Sequence, residues 1–246
     1  MSNAATQTDA VRCFTAEDPA VHRALRETPL LRELGDPVLR RLALISKIVS
    51  VPEDTEVCCQ GEAADELLIV MDGQLVGFST APNGTTAVVE VIRSGETLGL
   101  ATLLARLPRL LGVRTVTPSS LISIDAGGLL GLVAQEPSLV TALLRAEANE
   151  FRALVRQVCD LKLRTTAQRL GCYLLSLSGE SKANTTALRL PFDKRLLAAR
   201  LGCRQENLSR AFASLRGFGV ETHGARVILH DIASLTEFSE PDEGLA

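Results

Sequence analysis

Apolar residues along this chain change their spacing several times, and each change marks a change of element. Residues 1 to about 20 are polar and unpatterned, which predicts a mobile tail. Over residues 22–45, Leu25, Leu30, Leu31, Leu34, Val38, Leu39, Leu42 and Leu44 recur at helical spacing, and Pro29 and Pro37 break the run into short pieces. From Ser46 the texture shortens. Residues 47–51, 66–71, 74–79, 86–92, 113–116 and 121–124 read as short strands, with turn signals at Gly61, Asp72-Gly73, Asn83-Gly84 and Ser94-Gly95. Strands this short and this regular predict an antiparallel sandwich or barrel.

Beyond Asp125 the pattern is helical again. Pro137 suits the first turn of a helix running through Leu144, and a long helix follows from about Ala146. Within it Phe151, Leu154, Val158, Leu161 and Thr165 alternate spacings of three and four, the seam of a two-stranded coiled coil. The same stripe would equally serve to pack on the chain's own sandwich. Residues 166–177 read as another amphipathic helix and 178–186 as a polar loop. The stretch from Phe192 to Phe212 then reads as a helix-turn-helix. Asp193 caps a first helix carrying Leu196, Leu197 and Leu201, and Gly202 makes the tight turn. The second helix buries Leu208, Phe212 and Leu215, which leaves Gln205, Glu206, Ser209 and Arg210 on its exposed N-terminal half. Glutamate accepts from a cytosine amino group and arginine forks onto guanine, so this set suits base edges in a major groove. Lys194, Arg195, Arg200 and Arg204 are the candidates for phosphate contacts. Residues 217–219 turn the chain, 220–229 read as a two-stranded wing, and the acidic end from Ser239 reads as frayed.

Charge sharpens this division. The net charge is -3, yet residues 160–232 hold twelve Lys and Arg against six Asp and Glu, a balance of +6; the remainder, 14 against 23, carries -9. A basic C-terminal part beside an acidic remainder fits one nucleic-acid-binding domain and one domain with another task. At 246 residues the chain has room for two cores, and with 3% aromatics these must be filled by Leu, Val, Ile and Ala. No apolar run approaches a membrane span and no N-terminal signal pattern appears, which leads to the expectation of a cytoplasmic protein without a membrane partner. Cys13, Cys58, Cys59, Cys159, Cys172 and Cys203 show no framework spacing and read as free thiols. Cys203, at the entrance to the second helix, is a candidate redox site if the helix N-terminus lowers its pKa; the alternative is a small side chain filling the turn. No Walker loop, zinc motif or nucleophile elbow is present and there are three histidines, so an enzyme is not expected.

A strand-rich roll, a long helix and a winged helix-turn-helix, in this order, resemble the CRP/FNR family of bacterial transcription regulators over about residues 24–235. The matching pieces are Gln60-Gly61-Glu62, Met71-Asp72-Gly73-Gln74-Leu75, Gly95-Glu96-Thr97-Leu98-Gly99 and the run from Gly202 to Arg210. The resemblance implies an α+β fold. Its parts would be a tail at 1–20, a cyclic-nucleotide-binding-like β-roll for sensing at 21–136, and a dimerisation helix region at 137–164. A winged helix-turn-helix at 165–238 and an acidic tail at 239–246 would follow. It also implies a homodimer on double-stranded DNA, at a pseudo-palindrome, with RNA polymerase as a further partner. Glu206 and Arg210 would read a G·C pair and Ser209 would help read a half-site similar to TTGA(T/C). Gln205 leaves the outer base open.

In the pocket the sequence departs from the cyclic-nucleotide-binding members. Their ribose-binding Glu falls on Leu100 and their Arg-Ser pair on Leu110 and Leu111, although a gap slides Arg106 or Arg109 inward. Leu98, Leu100, Leu103, Leu104, Leu107, Leu110 and Leu111, with Leu154 and Val155 on the long helix, predict an apolar effector pocket. It would take a small aromatic or fatty molecule rather than cAMP, or be filled by its own leucines in a constitutively active protein. No cofactor is expected. Haem is the alternative, with His22, Cys58, Cys59 and Met71 as possible axial ligands; Cys13 and Cys58-Cys59 lack the spacing of an iron–sulfur site, and His223 and His230 only flank a strand. A regulatory module acting on a protein partner is the rival class.

Overall fold

The computed structural model describes residues 13–14, 18–178, 184–190 and 194–241, and the chain divides into two units, Met1–Glu150 and Phe151–Ala246. The Asp193 cap, most of the N-terminal tail, the centre of the loop at 178–186 and residues 242–246 lie outside the described residues.

The first unit opens with β1 (Cys13–Phe14), α1 (Pro19–Glu27) and α2 (Asp36–Ala43). Two of these correct the tail expected at 1–20. β1 pairs antiparallel with the strand at 46–51, Cys13 opposite Val49, and α1 starts where Asp18 accepts from the Ala20 N–H at 2.8 Å with Pro19 in the first turn. A two-residue strand owes its existence to its partner, so local pattern carries no trace of it.

Then come β2 (Ser46–Val51), β3 (Glu56–Cys58), β4 (Glu66–Asp72), β5 (Gln74–Thr80), β6 (Thr86–Arg93), β7 (Thr97–Leu98), β8 (Gly112–Thr115) and β9 (Ser119–Asp125). They form two antiparallel sheets, in the orders β1-β2-β9-β4-β7 and β3-β8-β5-β6. Three helices complete the unit: α3 (Leu100–Ala105), α4 (Ala126–Val133) and the first half of α5 (Pro137–Leu163). β4 shows how the layers are held. Leu67, Leu68, Ile69 and Val70 are all buried, because successive strand residues face opposite sides and both sides are covered. Leu67 and Ile69 join Leu25, Leu39, Leu129 and Leu139 in the core under the helices, whereas Leu68 and Val70 meet Leu75, Ile92 and Val113 across the second sheet. Each such side chain contributes about 1.5–3 kcal/mol by burial. Gly73, at φ +97°, turns β4 into β5 so closely against Ser119 that a Cβ there would collide with it.

The second unit holds the rest of α5, then α6 (Thr166–Ser178), β10 (Thr186–Arg189), α7 (Lys194–Arg200), α8 (Gln205–Leu215), a 3-10 turn (Arg216–Phe218), β11 (Val220–His223), β12 (Arg226–Leu229) and α9 (Ile232–Ser239). β11 and β12 form the two-stranded wing expected at 220–229, and β10 adds a third strand to its sheet, in the order β10-β12-β11. α9 was not legible in the sequence. Half of its eight residues are polar, but Asp231 caps it by accepting from Ser234 N–H at 3.0 Å, Leu235 is fully buried and Phe238 stacks on Phe218. The two helices expected at 137–144 and beyond 146 are one unbroken helix of 27 residues.

Candidate functional site

The helix-turn-helix is built around α7 and α8. Buried Leu196, Leu197, Ala198 and Leu201 hold α7, and buried Leu208, Ala211, Phe212 and Leu215 hold α8. Between them the N–H groups of Gly202 and Cys203 donate to the carbonyls of Ala199 and Ala198, both at 2.9 Å, which satisfies the end of α7. Gly202 has φ +60°, and a Cβ there would lie 2.5 Å from Leu161 Cδ2, so the α5 stripe residue Leu161 is seated on the turn. α8 therefore has one buried side, and Gln205, Glu206, Ser209 and Arg210 are all exposed on the other. Ser209 donates to the Gln205 carbonyl at 3.1 Å. Glu206 and Arg210 form no ion pair among the described residues. Glu206 in the first turn also suits the positive end of the helix dipole.

The four basic candidates separate. Arg195 and Arg204 are exposed, and Lys194 is exposed with its ammonium 5.7 Å from the Phe212 ring centre. Arg200 is half-buried, with its guanidinium 5.5 Å from the Tyr173 ring. Arg169, which sequence reasoning passed over, ties the unit together: Nε donates to the Leu201 carbonyl at 3.0 Å and Nη1 to the Arg164 carbonyl at 2.7 Å. An arginine on an amphipathic helix carries no local sign of such a role. Cys203 is half-buried at the end of the turn before α8. Burial pushes its thiol pKa up, Arg169 offsets this in part, and a thiol so shifted is a poor thiolate.

On α5, Phe151 is 67% exposed, and Leu154, Val155, Val158 and Leu161 are also exposed. They form an apolar row of the kind that marks an interaction surface.

In the first unit the expected leucine pocket is not assembled. Residues 100–105 form α3, and a helix distributes consecutive leucines around its axis. Leu100 and Leu103 enter the helix-side core and Leu98 the core between the sheets. Leu104 and Leu107 are exposed and Leu110 is 82% exposed; Leu111 lies against Gly77. Arg109 alone of the expected set lines a cleft, of about 580 Å³, together with Lys47, Glu62, Asp65, Glu66 and Asp125. Arg109 is 7% exposed; its Nη1 packs over Gly99 and its Nη2 donates to the Glu66 carbonyl at 3.4 Å. No carboxylate pairs with it among the described residues. On the other side of Gly77, Glu90 is half-buried; burial first, then Glu150 and Glu96, push its carboxyl pKa up. Cys58 is buried and Cys59 exposed, and the Cys59 thiol is pushed up to about 11 by its hydrogen bond with Glu56. His22 pairs with Asp36 at 3.3 Å. Among the described residues no group of three His, Cys, Asp or Glu is arranged to hold a metal, and no single helix is long and apolar enough to cross a membrane.

A family model for the cyclic nucleotide-binding domain matches residues 48–136, and one for the Crp-like helix-turn-helix domain matches residues 168–238. A CRP-like cAMP-activated global transcriptional regulator of Mycobacterium tuberculosis is 25% identical over 187 residues, 74% of this chain and 84% of that one. The transcriptional regulator flp of Lacticaseibacillus casei is 26% identical over 219 residues, 89% of this chain and 99% of its own. A solved structure of a cyclic nucleotide binding protein from Ruegeria pomeroyi is 31% identical, with 91% of this chain and 98% of that chain covered and a TM-score of 0.62. FixK2 of Bradyrhizobium japonicum, at 20% identity and a TM-score of 0.65, shares the fold. With a cyclic nucleotide-binding domain and a Crp-like helix-turn-helix domain each matched in place, this chain belongs to the CRP/FNR family of DNA-binding transcription regulators.

Proposed function

We propose that the protein acts as a homodimer, joined along Phe151, Leu154, Val158 and Leu161, with two copies of α8 reading a pseudo-palindrome of TTGA-like half-sites. Glu206 accepts from a cytosine, Arg210 forks onto a guanine and Ser209 assists, while Arg195, Arg204 and Lys194 hold phosphates. RNA polymerase is the partner that a regulator bound there would meet. One observation carries this reading: four polar side chains with base-edge chemistry share the exposed side of a helix whose other side is fixed in a core. Binding-site selection tests it. The wild type is expected to return the paired half-sites, and Arg210→Ala to lose about 1–3 kcal/mol of discrimination at one base pair. An unchanged motif from Arg210→Ala would overturn the assignment. Failure to retain any duplex would favour the rival, a module acting on a protein partner.

The effector reading follows the cleft rather than the leucines. A cleft lined by Lys47, Arg109 and several carboxylates suits a small polar molecule, not an aromatic or fatty one. With Glu90 and Leu111 crowding Gly77, calorimetric titration with cAMP is expected to give no saturable micromolar heat. A clear isotherm would refute that.

A further inference from the structure

The wing sheet has one buried face and one exposed face. Val220, Leu188, Val227 and Leu229 point into the domain, so the two-residue period puts Arg189 of β10, Arg226 and Ile228 of β12, and Glu221 and His223 of β11 on the other side. His230, one residue beyond β12, reaches the same carboxylate as His223. The Nε2 of His223 lies 2.8 Å from Glu221 Oε1 and that of His230 lies 2.8 Å from Oε2. Two of the three histidines in the chain thus converge on one glutamate, and all three side chains are about half exposed or more.

The surroundings are basic. Arg226 stands opposite His223 in the ladder and Arg189 opposite Arg226, and neither arginine pairs with a carboxylate among the described residues. Asp231, next to His230, is occupied by Ser234 N–H at 3.0 Å and by the Asn184 amide at 3.4 Å. Thr185, before β10, donates to the His230 carbonyl at 3.1 Å. Of the elements packed on β11, α8 carries Glu206 and Arg210 and the 3-10 turn carries Arg216; none of them forms an ion pair with the trio.

A carboxylate only accepts, so each neutral imidazole must carry its proton on Nε2 and leave Nδ1 bare. The two hydrogen bonds, from His230 and then His223, hold the Glu221 carboxyl below the usual carboxylate range. In this state the trio is a net -1 on a face that otherwise bears two arginines. A proton taken up on acidification enters at Nδ1. It converts a bare lone pair into a charged N–H donor and leaves the bond to Glu221 intact. With both imidazoles protonated the trio becomes +1.

We propose that this face of the wing is a proton-controlled contact for the DNA phosphate backbone, held weakly by Arg189 and Arg226 while the Glu221 charge offsets one of them, and held more tightly in acid when His223 and His230 add their charges. The proposal rests on the reading of α8 as the DNA-reading helix, from which β11 is separated by the three-residue turn and a glycine.

Fluorescence anisotropy with the duplex selected by the wild type, at fixed salt between about pH 8 and pH 5.5, tests it. Wild-type affinity is expected to rise about tenfold or more on acidification, with a salt slope steeper by about 1–2 in acid. The double variant His223→Gln/His230→Gln is expected to lose that rise. Glu221→Gln is expected to bind more tightly than wild type at pH 8. A flat wild-type profile, or a rise of wild-type size in the double variant, would overturn the proposal while leaving α8 as the reader. Absence of binding by every form at every pH would remove both.

Discussion

α8 and the leucine-rich stretch at 98–111 present the same question with opposite outcomes. Each reads as a functional surface from the spacing of its side chains. In α8 the surface survives folding, since one helix fixes both faces: Leu208 and Phe212 set the buried side, and Gln205, Glu206, Ser209 and Arg210 follow on the other. In the roll it does not, since a pocket is a product of several elements. α3 turned Leu100 and Leu103 into core, the loop after it left Leu110 in solvent, and the cleft formed from Lys47, Glu66, Arg109 and Asp125, drawn from distant strands and loops. A site on one helix is local information; a site between strands is not.

The largest expected effect tests that contrast directly. Leu100→Ala, in a packed core, should lower the stability of the first unit by about 2–5 kcal/mol, whereas Leu110→Ala should stay within about 0.5 kcal/mol. Denaturant unfolding of the two variants measures both. Equal effects would mean that the two leucines share one environment, and the pocket reading would return.

The turn of the DNA-binding unit comes next. Gly202→Ala places a Cβ at φ +60° and beside Leu161, which should cost about 1–2 kcal/mol through the left-handed backbone. Because Leu161 also belongs to the exposed α5 row, dimerisation measured by analytical ultracentrifugation should weaken along with thermal stability. A loss of stability with unaltered association would uncouple the turn from that row.

The glutamates of the first unit give a smaller effect with a defined sign. The Glu90 carboxyl has its folded pKa raised above the ordinary value of 4.5, so between 4.5 and that raised value the folded state binds more protons than the unfolded state. Stability therefore falls as pH rises through this window and stays lowered above it. Glu90→Gln should raise the melting temperature at neutral pH, and the difference should vanish below about pH 4. A variant less stable than wild type at pH 7 would show that the carboxylate is held by favourable contacts instead.

Much of the architecture was readable because it rests on local chemistry. The Asp72-Gly73 turn demands a residue tolerant of φ +97°, and Gly202 marks the end of α7 in the same way. What escaped was set by partners far along the chain. β1 exists through Val49 and Ile48, β10 through residues 226–229, and α9 through α6 and Phe218. Arg169 and the Glu221 trio were missed for the same reason. Each is made of residues that are ordinary where they stand and significant in what they meet.

Cys203 carries the smallest effect and the narrowest test. It lies two residues before α8, where the helix dipole favours a thiolate, yet burial dominates and raises the thiol pKa. Two local influences of opposite sign meet at one sulfur, and the geometry decides between them. Cys203→Ala should therefore change stability and DNA affinity by less than about 0.5 kcal/mol, and wild-type binding should resist mild peroxide as well as the variant does. If peroxide weakened wild-type binding and spared Cys203→Ala, the dipole would have outweighed burial. The entrance to α8 would then be a redox site, built like the exposed side of α8 from purely local information.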